Sequence, residues 1–315
     1  MSKPKLSIVI PVLNEGENIR ILYKRIKETL EGKIDYEVIW ADDGSTEDTP
    51  KVISELSKND ERVHGVSLMV RSGQSAALMA GIEMAQGELI ATIDGDNQND
   101  PKDFLKMIEK LEKENLDAVI GWRKNRWEGS FIRRLPSLVA NKLMKKAFGD
   151  LGIHDTGCMV KVVKAEIMKD IKLYGELHRF MSYMLAMYGA KLGEVEVSHQ
   201  ARKIGKSNYN FTRTFTVIFD ILNVKFLTMK TKTPIQVMGP LAMWTFLAGF
   251  ISGMSLIFMK IFQGEDITGS PLFMITILCI IMAIQFISFG LLGELIIRSY
   301  HENGDRKVYA IRRKY

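Results

Sequence analysis

Three short polar clusters carry the residue types needed to bind a phosphorylated ligand and a divalent metal ion. Each cluster directly follows a short apolar run of the kind that forms a buried strand. Because the carboxyl ends of parallel strands lie at one edge of a sheet, we expect the clusters to line a single cleft. The candidate ligand-binding residues are Pro11, Asn14 and Glu15, then Asp42 and Asp43, then Asp94, Asp96 and Gln98.

The pair Asp94 and Asp96 is the most informative of these. Two carboxylates separated by one residue, on the turn that leaves a buried strand, can both reach one hard divalent cation. Gln98 is placed to add a carbonyl oxygen, since alternate residues of an extended turn share a side. This predicts a Mg²⁺ or Mn²⁺ site at Asp94, Asp96 and Gln98, where the ion would bridge a diphosphate. The alternative is a plain turn, which most Asp-x-Asp patterns are.

Two basic sets lie further along the chain. The first contains Arg123, Arg126, Arg133 and Arg134 with Ser137, and the second contains Arg202, Lys203, Lys206 and Ser207 around Gly205. Guanidinium groups match phosphate oxygens well, so the first set suits an anionic acceptor. The second set sits on a glycine hinge and could close over a phosphate. The alternative for any single arginine is a solvated helix face.

Other phosphate and hydrolase signatures are missing from the sequence. Gly205-Lys206-Ser207 has the end of a P-loop, but Gln200 stands where a P-loop requires glycine. Neither a dinucleotide-binding glycine fingerprint nor a Gly-x-Ser-x-Gly elbow is present. The five histidines are scattered, without metalloprotease spacing.

A parallel sheet is needed to bring the clusters together, and residues 1–203 have the pattern of one. Apolar runs predict strands at Leu6–Val12, Glu37–Ala41, Val63–Val70 and Leu89–Ile93, with helices at Glu17–Leu30, Lys51–Leu56 and Ser75–Ala85 between them. Apolar strands that alternate with helices favour a parallel sheet covered on both faces. We therefore predict an α/β, Rossmann-like catalytic domain over residues 1–203.

Two long apolar stretches follow, from about Val237 to Phe262 and from about Pro271 to Ile297. Each exceeds the ~20 residues that cross a bilayer as a helix, and two in tandem make buried soluble helices a poor explanation. The loop between them has acidic residues and no Lys or Arg, whereas both flanks are basic. By the positive-inside rule we predict a transmembrane hairpin over residues 235–298 of a cell-membrane protein. The catalytic domain, both termini and a basic tail (299–315) would then be cytoplasmic.

An amphipathic segment, residues 204–234, precedes the hairpin. Apolar side chains recur there at helical spacing from Phe211 to Phe226, with polar residues on the other face. A helix lying in the membrane interface would have this pattern. The alternative is a helix packed on the soluble domain.

The composition agrees with a cytoplasmic protein at a membrane. The formal net charge is +6 and the pI is about 9.1. Since basic residues flank the hairpin, an anionic membrane surface explains the charge better than nucleic acid does. The two cysteines, Cys158 and Cys279, support neither a disulfide framework nor a zinc site. The N-terminal apolar run is too short for a signal peptide.

Several longer motifs occur in a fixed order. They are IVIPVLNE at Ile8–Glu15, ADDGSTEDT at Ala41–Thr49, GQSAALMAG at Gly73–Gly81, IDGDNQNDP at Ile93–Pro101, DTGC at Asp155–Cys158 and GELIIRSYHENGDRKVY at Gly293–Tyr309. With them, nearly the whole chain resembles family 2 glycosyltransferases of the GT-A fold. More narrowly, it resembles polyisoprenyl-phosphate glycosyltransferases such as dolichol-phosphate mannose synthases and bacterial undecaprenyl-phosphate glucosyltransferases.

The resemblance implies a role for each candidate residue. Pro11, Asn14, Glu15, Asp42 and Asp43 would contact the nucleoside, with Asp94, Asp96 and Gln98 at the metal and diphosphate. Arg134 and Ser137, with Arg123 and Arg133, would contact the acceptor phosphate, and Arg202 and Lys206 would close over the site. Gly95 and Asn97 replace residues that are commonly Ala and Leu in the family, and Asp100 adds a carboxylate, so the ligand set stays open.

The activity implied is inverting transfer of a hexose, expected to come from UDP-glucose, to undecaprenyl phosphate at the cytoplasmic face. A phosphate oxygen is already anionic, so no general base is assigned. The alternatives are another sugar (mannose, N-acetylglucosamine or galactose), a glycosyltransferase that extends a polysaccharide, or a membrane scaffold with a degenerate transferase domain. The expected partners are the nucleotide sugar, the polyprenyl phosphate and membrane lipids, without nucleic acid, and the hairpin offers surfaces for a homo-oligomer.

Overall fold

The computed structural model describes residues 3–46, 48–124, 145, 149–199, 234–264, 266, 269–302 and 309–315. The chain divides into a sheet-containing unit, residues 1–224 with 307–315, and a helical unit, residues 225–306. The predicted amphipathic segment lies outside the described residues apart from Pro234.

Strands and helices alternate through most of the sheet-containing unit. The strands are β1 (Leu6–Val12), β2 (Tyr36–Asp42), β3 (Val63–Leu68), β4 (Leu89–Thr92), β5 (Ala118–Trp122), β6 (Lys161–Lys164), β7 (Leu192–Glu196) and β8 (Ile311–Lys314). The helices are α1 (Gly16–Leu30), α2 (Thr49–Asn59), α3 (Gln74–Met84), α4 (Asp103–Lys113), α5 (Ala165–Asp170) and α6 (Met181–Met187), with a 3₁₀ turn at Leu177–Phe180. Every strand and helix predicted up to Ile93 is confirmed, with small shifts at the ends.

The eight strands form one sheet in the order β7-β5-β6-β4-β1-β2-β3-β8. Parallel pairs join β1 to β2 and β4, β2 to β3, and β5 to β7. β6 runs antiparallel to β4 and β5. Every residue of β1 and β2 is buried, as expected for central strands covered on both faces. The predicted mostly parallel α/β fold is confirmed.

The last strand is the main difference from the predicted organisation. The sequence places residues 299–315 in a basic tail, whereas Ile311–Lys314 pair antiparallel with β3 and belong to the sheet-containing unit. An exposed strand edge accepts an added strand through backbone hydrogen bonds, which depend little on side-chain polarity. The basic composition of this segment therefore does not prevent it from completing the sheet.

The helical unit is an antiparallel pair of long apolar helices. It contains α7 (Pro234–Phe258), continued by a π-helical turn at Met259–Gln263, and α8 (Pro271–Glu302). Small residues bring the two helices close, since Gly249 lies against Cys279 and Ser252 Oγ is 2.8 Å from Thr276 Oγ1.

The segments Pro234–Gln263 and Pro271–Ile296 are long and apolar enough to cross a membrane, with mean hydropathies of 1.8 and 2.6. Their large apolar side chains are mostly exposed, unlike those of a soluble core helix; Phe250 is 57% exposed and Ile284 60%. The predicted apolar hairpin is confirmed, and its orientation across a membrane stays a prediction.

Candidate active site

The loops that follow β1 and β2 are joined by hydrogen bonds. Asn14 has a φ of 55°, and its N–H donates to Ser45 Oγ at 2.9 Å. Its side-chain carbonyl accepts the Thr46 N–H at 3.1 Å. Asp42 is buried, and its Oδ1 accepts the Ser45 N–H at 3.0 Å. The first two predicted clusters therefore form one continuous edge of the cleft.

Asp43 connects β2 to the loop that follows β3, Met69–Gly73. Its Oδ1 accepts the N–H groups of Ser72 and Gly73, at 2.7 and 2.9 Å. Burial raises the pKa of the Asp43 carboxyl, and these two hydrogen bonds act in the opposite direction. Since both N–H groups precede α3, the carboxylate also stabilises the start of that helix.

The third cluster lies beside the end of β1. A Cβ on Gly95 would lie 2.7 Å from Val12 Cγ1 and 3.3 Å from the Pro11 carbonyl oxygen. The missing side chain thus lets the turn after β4 approach β1, which accounts for glycine at this position. Glu15 is held at the start of α1, where its N–H donates to Thr49 Oγ1 at 2.9 Å. All three clusters therefore meet at one edge of the sheet, as the parallel topology predicts.

Asp94 and Asp96 leave β4 as a pair of carboxylates. Asp94 Oδ1 accepts from Gln74 Nε2 at 3.0 Å, and Asp96 Oδ1 accepts the Gln98 N–H at 3.2 Å. Burial, and after it the neighbouring Asp96 carboxylate, raise the pKa of the Asp94 carboxyl to about 6. A raised pKa marks negative charge that its surroundings compensate incompletely.

This pair fits a divalent cation, because hard cations take carboxylate oxygens and would supply the missing positive charge. No group of three His, Cys, Asp or Glu side chains within the described part of the chain could hold a metal ion. Further ligands would therefore come from Gln98 or from diphosphate oxygens.

The other two residues of this turn that depart from the family pattern, Asn97 and Asp100, have structural roles. Asn97 has a φ of 60°, and its Nδ2 donates to the Asn18 carbonyl oxygen at 3.0 Å. Asp100 lies 3.3 Å from Arg25 Nη2, and its Oδ1 accepts the Lys102 N–H at 3.0 Å. The Asp100 carboxylate is thus engaged by α1 and the start of α4, apart from Asp94 and Asp96.

Arg123, which the sequence predicts to contact the acceptor phosphate, has a carboxylate partner within the chain. Arg123 is buried, and its Nε and Nη2 donate to the two carboxylate oxygens of Asp155, at 2.7 and 3.1 Å. This bidentate pair occupies the fork that would otherwise hold a phosphate. The position of Arg123 after β5 suggested an accessible phosphate ligand, but its partner lies 32 residues further along the chain.

Lys161, on β6, is a buried site residue that the sequence analysis missed. Its side chain is fully buried and its Nζ donates to the Cys158 carbonyl oxygen. Burial lowers the pKa of Lys161 to about 8, while the Asp155 and Asp94 carboxylates act in the opposite direction. Arg123 and Lys161 are therefore two buried cations whose charges interact with the Asp94 and Asp155 carboxylates. A single lysine inside the apolar run Met159–Val163 was the available sequence signal.

The remaining candidates lie outside the described residues. They are Arg133, Arg134, Ser137, Arg202 and Lys206. Their contacts with an acceptor phosphate stay predictions.

Comparison with known proteins identifies the family. Residues 7–171 match the model of Glycosyl transferase family 2. The chain belongs to this family. A dodecaprenyl-phosphate galacturonate synthase of Rhizobium johnstonii is 37% identical over 98% of this chain and 92% of the relative. An undecaprenyl-phosphate 4-deoxy-4-formamido-L-arabinose transferase of Proteus mirabilis is 30% identical over 98% of this chain and 93% of the relative. These relatives confirm the resemblance to polyprenyl-phosphate glycosyltransferases.

Solved structures share the fold of this family 2 glycosyltransferase. Glucosyl-3-phosphoglycerate synthase from Mycobacterium tuberculosis, in complex with Mn²⁺ and uridine-diphosphate-glucose, aligns with a TM-score of 0.54 at 18% identity. The alignment covers 70% of this chain and 79% of that chain. The complex of the same enzyme with Mg²⁺ and uridine-diphosphate aligns with a TM-score of 0.51 at 19% identity. That alignment also covers 70% of this chain and 79% of the other. At these identities the likeness shows the fold alone, and it confirms the predicted GT-A architecture.

Gly44 brings the loop after β2 against the loop after β3. It has a φ of +73°, and a Cβ there would lie 2.7 Å from the Val70 carbonyl carbon and 2.8 Å from the Arg71 nitrogen. Both are backbone atoms, so relief of the clash requires the Met69–Gly73 loop to move away from Asp43.

We expect Gly44→Ala to weaken nucleotide binding by at least about tenfold, because it combines a strained backbone with this displacement. Gly32→Ala is the matched control, since Gly32 also has a φ of +73° but no atom within 4 Å of its Cβ position. Calorimetric titration of both variants with UDP and Mn²⁺ makes the comparison. Equal UDP affinities of Gly44→Ala and Gly32→Ala would contradict a role for the close approach of Gly44 to Val70 and Arg71.

Proposed function

We propose that this family 2 glycosyltransferase transfers a sugar from a nucleoside diphosphate to a polyprenyl phosphate, with inversion at the anomeric carbon. The observation that carries the proposal is the convergence of three polar clusters, including the Asp94 and Asp96 pair, at one sheet edge. Two relatives that match 98% of the chain are named for sugar transfer to dodecaprenyl and undecaprenyl phosphate.

The donor would lie along the edge formed by the loops after β1, β2 and β4. Asn14, Asp42 and Asp43 are fixed there by backbone hydrogen bonds, so little reorganisation is needed to receive the nucleoside. Pro11 and Glu15 border the same edge. We propose uridine as the base of the donor.

The diphosphate would lie at Asp94 and Asp96, which would hold Mg²⁺ or Mn²⁺ with Gln98. The ion supplies positive charge against the leaving diphosphate. Arg123 and Lys161 partly offset the negative charge of Asp94 and Asp155.

Transfer is a single displacement. A phosphate oxygen of the acceptor attacks the anomeric carbon, a new carbon–oxygen bond forms, and the bond to the donor diphosphate breaks with its electron pair on the leaving oxygen. The attacking oxygen is already anionic, so no proton has to move and positioning dominates catalysis. Arg133, Arg134 and Ser137 are our candidates to hold the acceptor phosphate, with Arg202 and Lys206 closing over it.

The apolar hairpin suits an acceptor that is itself a membrane lipid. The hairpin would cross the cell membrane twice, with the catalytic domain and both termini in the cytoplasm by the charge of its flanks. A polyprenyl phosphate would then need only to raise its headgroup into the cleft.

The sugar is chosen by the donor pocket. Glucose was the expectation from the sequence, whereas 37% identity to a galacturonate synthase favours galacturonate. We therefore propose UDP-galacturonate as the donor, ahead of UDP-glucose and of the formamido-arabinose donor that the second relative's name implies.

A panel of labelled donors tests the sugar. Purified full-length protein in nanodiscs would be incubated with undecaprenyl phosphate, Mn²⁺ and one nucleotide sugar at a time, with GDP-mannose and UDP-N-acetylglucosamine included. Label from UDP-galacturonate should enter the organic phase, and transfer only from another donor would contradict the sugar assignment. Label in a water-soluble polymer would instead support the polysaccharide-extending alternative.

A further inference from the structure

The C-terminal segment Tyr309–Tyr315 completes the sheet at the edge that β3 would otherwise expose. Lys314, Arg313 and Ile311 lie opposite Val66, Ser67 and Leu68 in an antiparallel ladder. Beyond the ladder, the Met69 N–H donates to the Ala310 carbonyl oxygen at 2.8 Å, and the Tyr315 N–H donates to Gly65 at 2.8 Å. The pairing thus extends from the middle of β3 to the first residue of the Met69–Gly73 loop.

Side chains give this docking its specificity. Tyr315 packs on Gly65, where a Cβ would lie 3.0 Å from the tyrosine ring. Tyr309 packs with Ile311 against the small apolar cluster that includes Leu68. Burial, together with the nearby Glu83 carboxylate, raises the pKa of the Tyr309 hydroxyl. The segment is therefore seated by two aromatic anchors, one at each end.

The C-terminal segment also contacts Met69, the first residue of the Met69–Gly73 loop. Arg312 Nη2 donates to the Met69 carbonyl oxygen at 3.2 Å, next to the backbone bond from the Met69 N–H. The ladder shifts register between Ser67 and Leu68, an irregularity that redirects the strand just before the loop begins. Both polar groups of the Met69 backbone are therefore held by the C-terminal segment.

The same loop ends at the Asp43 carboxylate. Ser72 and Gly73 donate to Asp43, and Val70 and Arg71 lie against Gly44. Met69–Gly73 is thus fixed at its first residue by the C-terminal segment and at its last residues by the candidate nucleoside-binding aspartate. A short loop held at both ends transmits a change at one end to the other.

We propose that Tyr309–Tyr315 is a positioning element of the donor site, which holds the Met69–Gly73 loop so that Asp43 and Gly44 present the nucleoside-binding surface. The proposal rests on the proposed function in assigning the nucleoside to Asp43. It adds that residues beyond the apolar hairpin in sequence set the affinity for the donor.

The test compares two single variants and a truncation in full-length protein in nanodiscs. Arg312→Ala removes the side-chain bond to Met69, and Lys314→Ala is the matched control because it removes an equal charge from an exposed side chain of the same strand and leaves the backbone pairing with β3 in place. A stop after Val308 removes the whole segment. Two quantities are measured: the affinity for UDP with Mn²⁺ by calorimetry, and amide hydrogen exchange at Ser72 and Gly73.

We expect Arg312→Ala to weaken UDP binding by about threefold to tenfold, the range for one lost hydrogen bond, and to speed exchange at Ser72 and Gly73. The truncation should have the larger effect, raise the KM for the donor and leave the KM for the lipid unchanged. Lys314→Ala should bind UDP with the affinity of the unmodified protein and show the same exchange rates at Ser72 and Gly73. If the truncated chain fails to fold, the comparison of Arg312→Ala with Lys314→Ala still tests the proposal.

Unchanged exchange at Ser72 and Gly73 in Arg312→Ala would overturn the proposal, as would equal UDP affinities in Arg312→Ala and Lys314→Ala. Failure of the proposed function is a separate result. If the unmodified protein does not bind UDP, the nucleoside assignment fails, while the exchange data still report whether the C-terminal segment holds the loop.

Discussion

Asp96→Asn should lower the turnover number by about 10²–10³-fold while the protein stays folded. The substitution keeps the size of the side chain and an oxygen to accept the Gln98 N–H, so the turn after β4 is preserved. It removes one of the two carboxylates that would hold the cation, and with it much of the charge that offsets the leaving diphosphate. Steady-state transfer at saturating Mn²⁺ measures the effect.

Asp100→Asn is the control for that variant. Asp100 belongs to the same acidic stretch, but its carboxylate pairs with Arg25 and accepts the Lys102 N–H. We expect its turnover to stay within about threefold of the unmodified protein, because its carboxylate serves a partly exposed ion pair with Arg25 and not the cation. If Asp96→Asn behaved like Asp100→Asn, the assignment of Asp96 to the cation would be wrong.

Arg123→Leu should destabilise the sheet-containing unit by about 3–5 kcal/mol, because it removes both guanidinium hydrogen bonds and the compensating positive charge from the largely buried Asp155 carboxylate. For a unit of this size, that loss should lower the melting temperature by roughly 6–20 °C. The double variant Arg123→Leu with Asp155→Leu should recover part of the loss, since it removes the buried cation and the buried carboxylate together. Thermal unfolding of all three proteins in one detergent gives the comparison.

The neighbouring Lys124 provides a matched control for Arg123. Lys124 pairs with Glu196 at 3.5 Å, and both side chains are more than half exposed. Solvent screens such a pair, so Lys124→Leu should change the stability by less than about 1 kcal/mol. An equal effect of both substitutions would show that Arg123 does not form a buried pair. Retained stability with lost lipid affinity in Arg123→Leu would restore its predicted role at the acceptor phosphate.

Most of the sheet could be predicted from the sequence because its central strands are short, continuous apolar runs between helices of clear periodicity. β1, β2, β3 and β4 are of this kind. β8 could not be found this way, since three of its four residues are basic and its pairing with β3 depends on backbone contacts far apart in sequence. Local patterns do not encode such pairings.

The candidate site divides in the same way. The positions of Asn14, Asp43 and Asp94 follow from parallel topology, which brings strand ends to one edge. The surroundings of Arg123 and Lys161 could not be predicted from this topology. Both side chains contact the segment around Asp155, which is distant in sequence from Arg123. Gly95 looked like a departure from the family pattern and is instead explained by a contact with Val12.

Mass spectrometry of the lipid product tests the central claim most directly. Full-length protein would be incubated with undecaprenyl phosphate, Mn²⁺ and the active nucleotide sugar, and the organic phase analysed beside a reaction with Asp96→Asn. We predict a lipid phosphate heavier by one glycosyl residue, formed with equimolar release of UDP, and almost none from Asp96→Asn. Release of UDP without a glycosylated lipid phosphate, or equal product from the variant, would contradict the account.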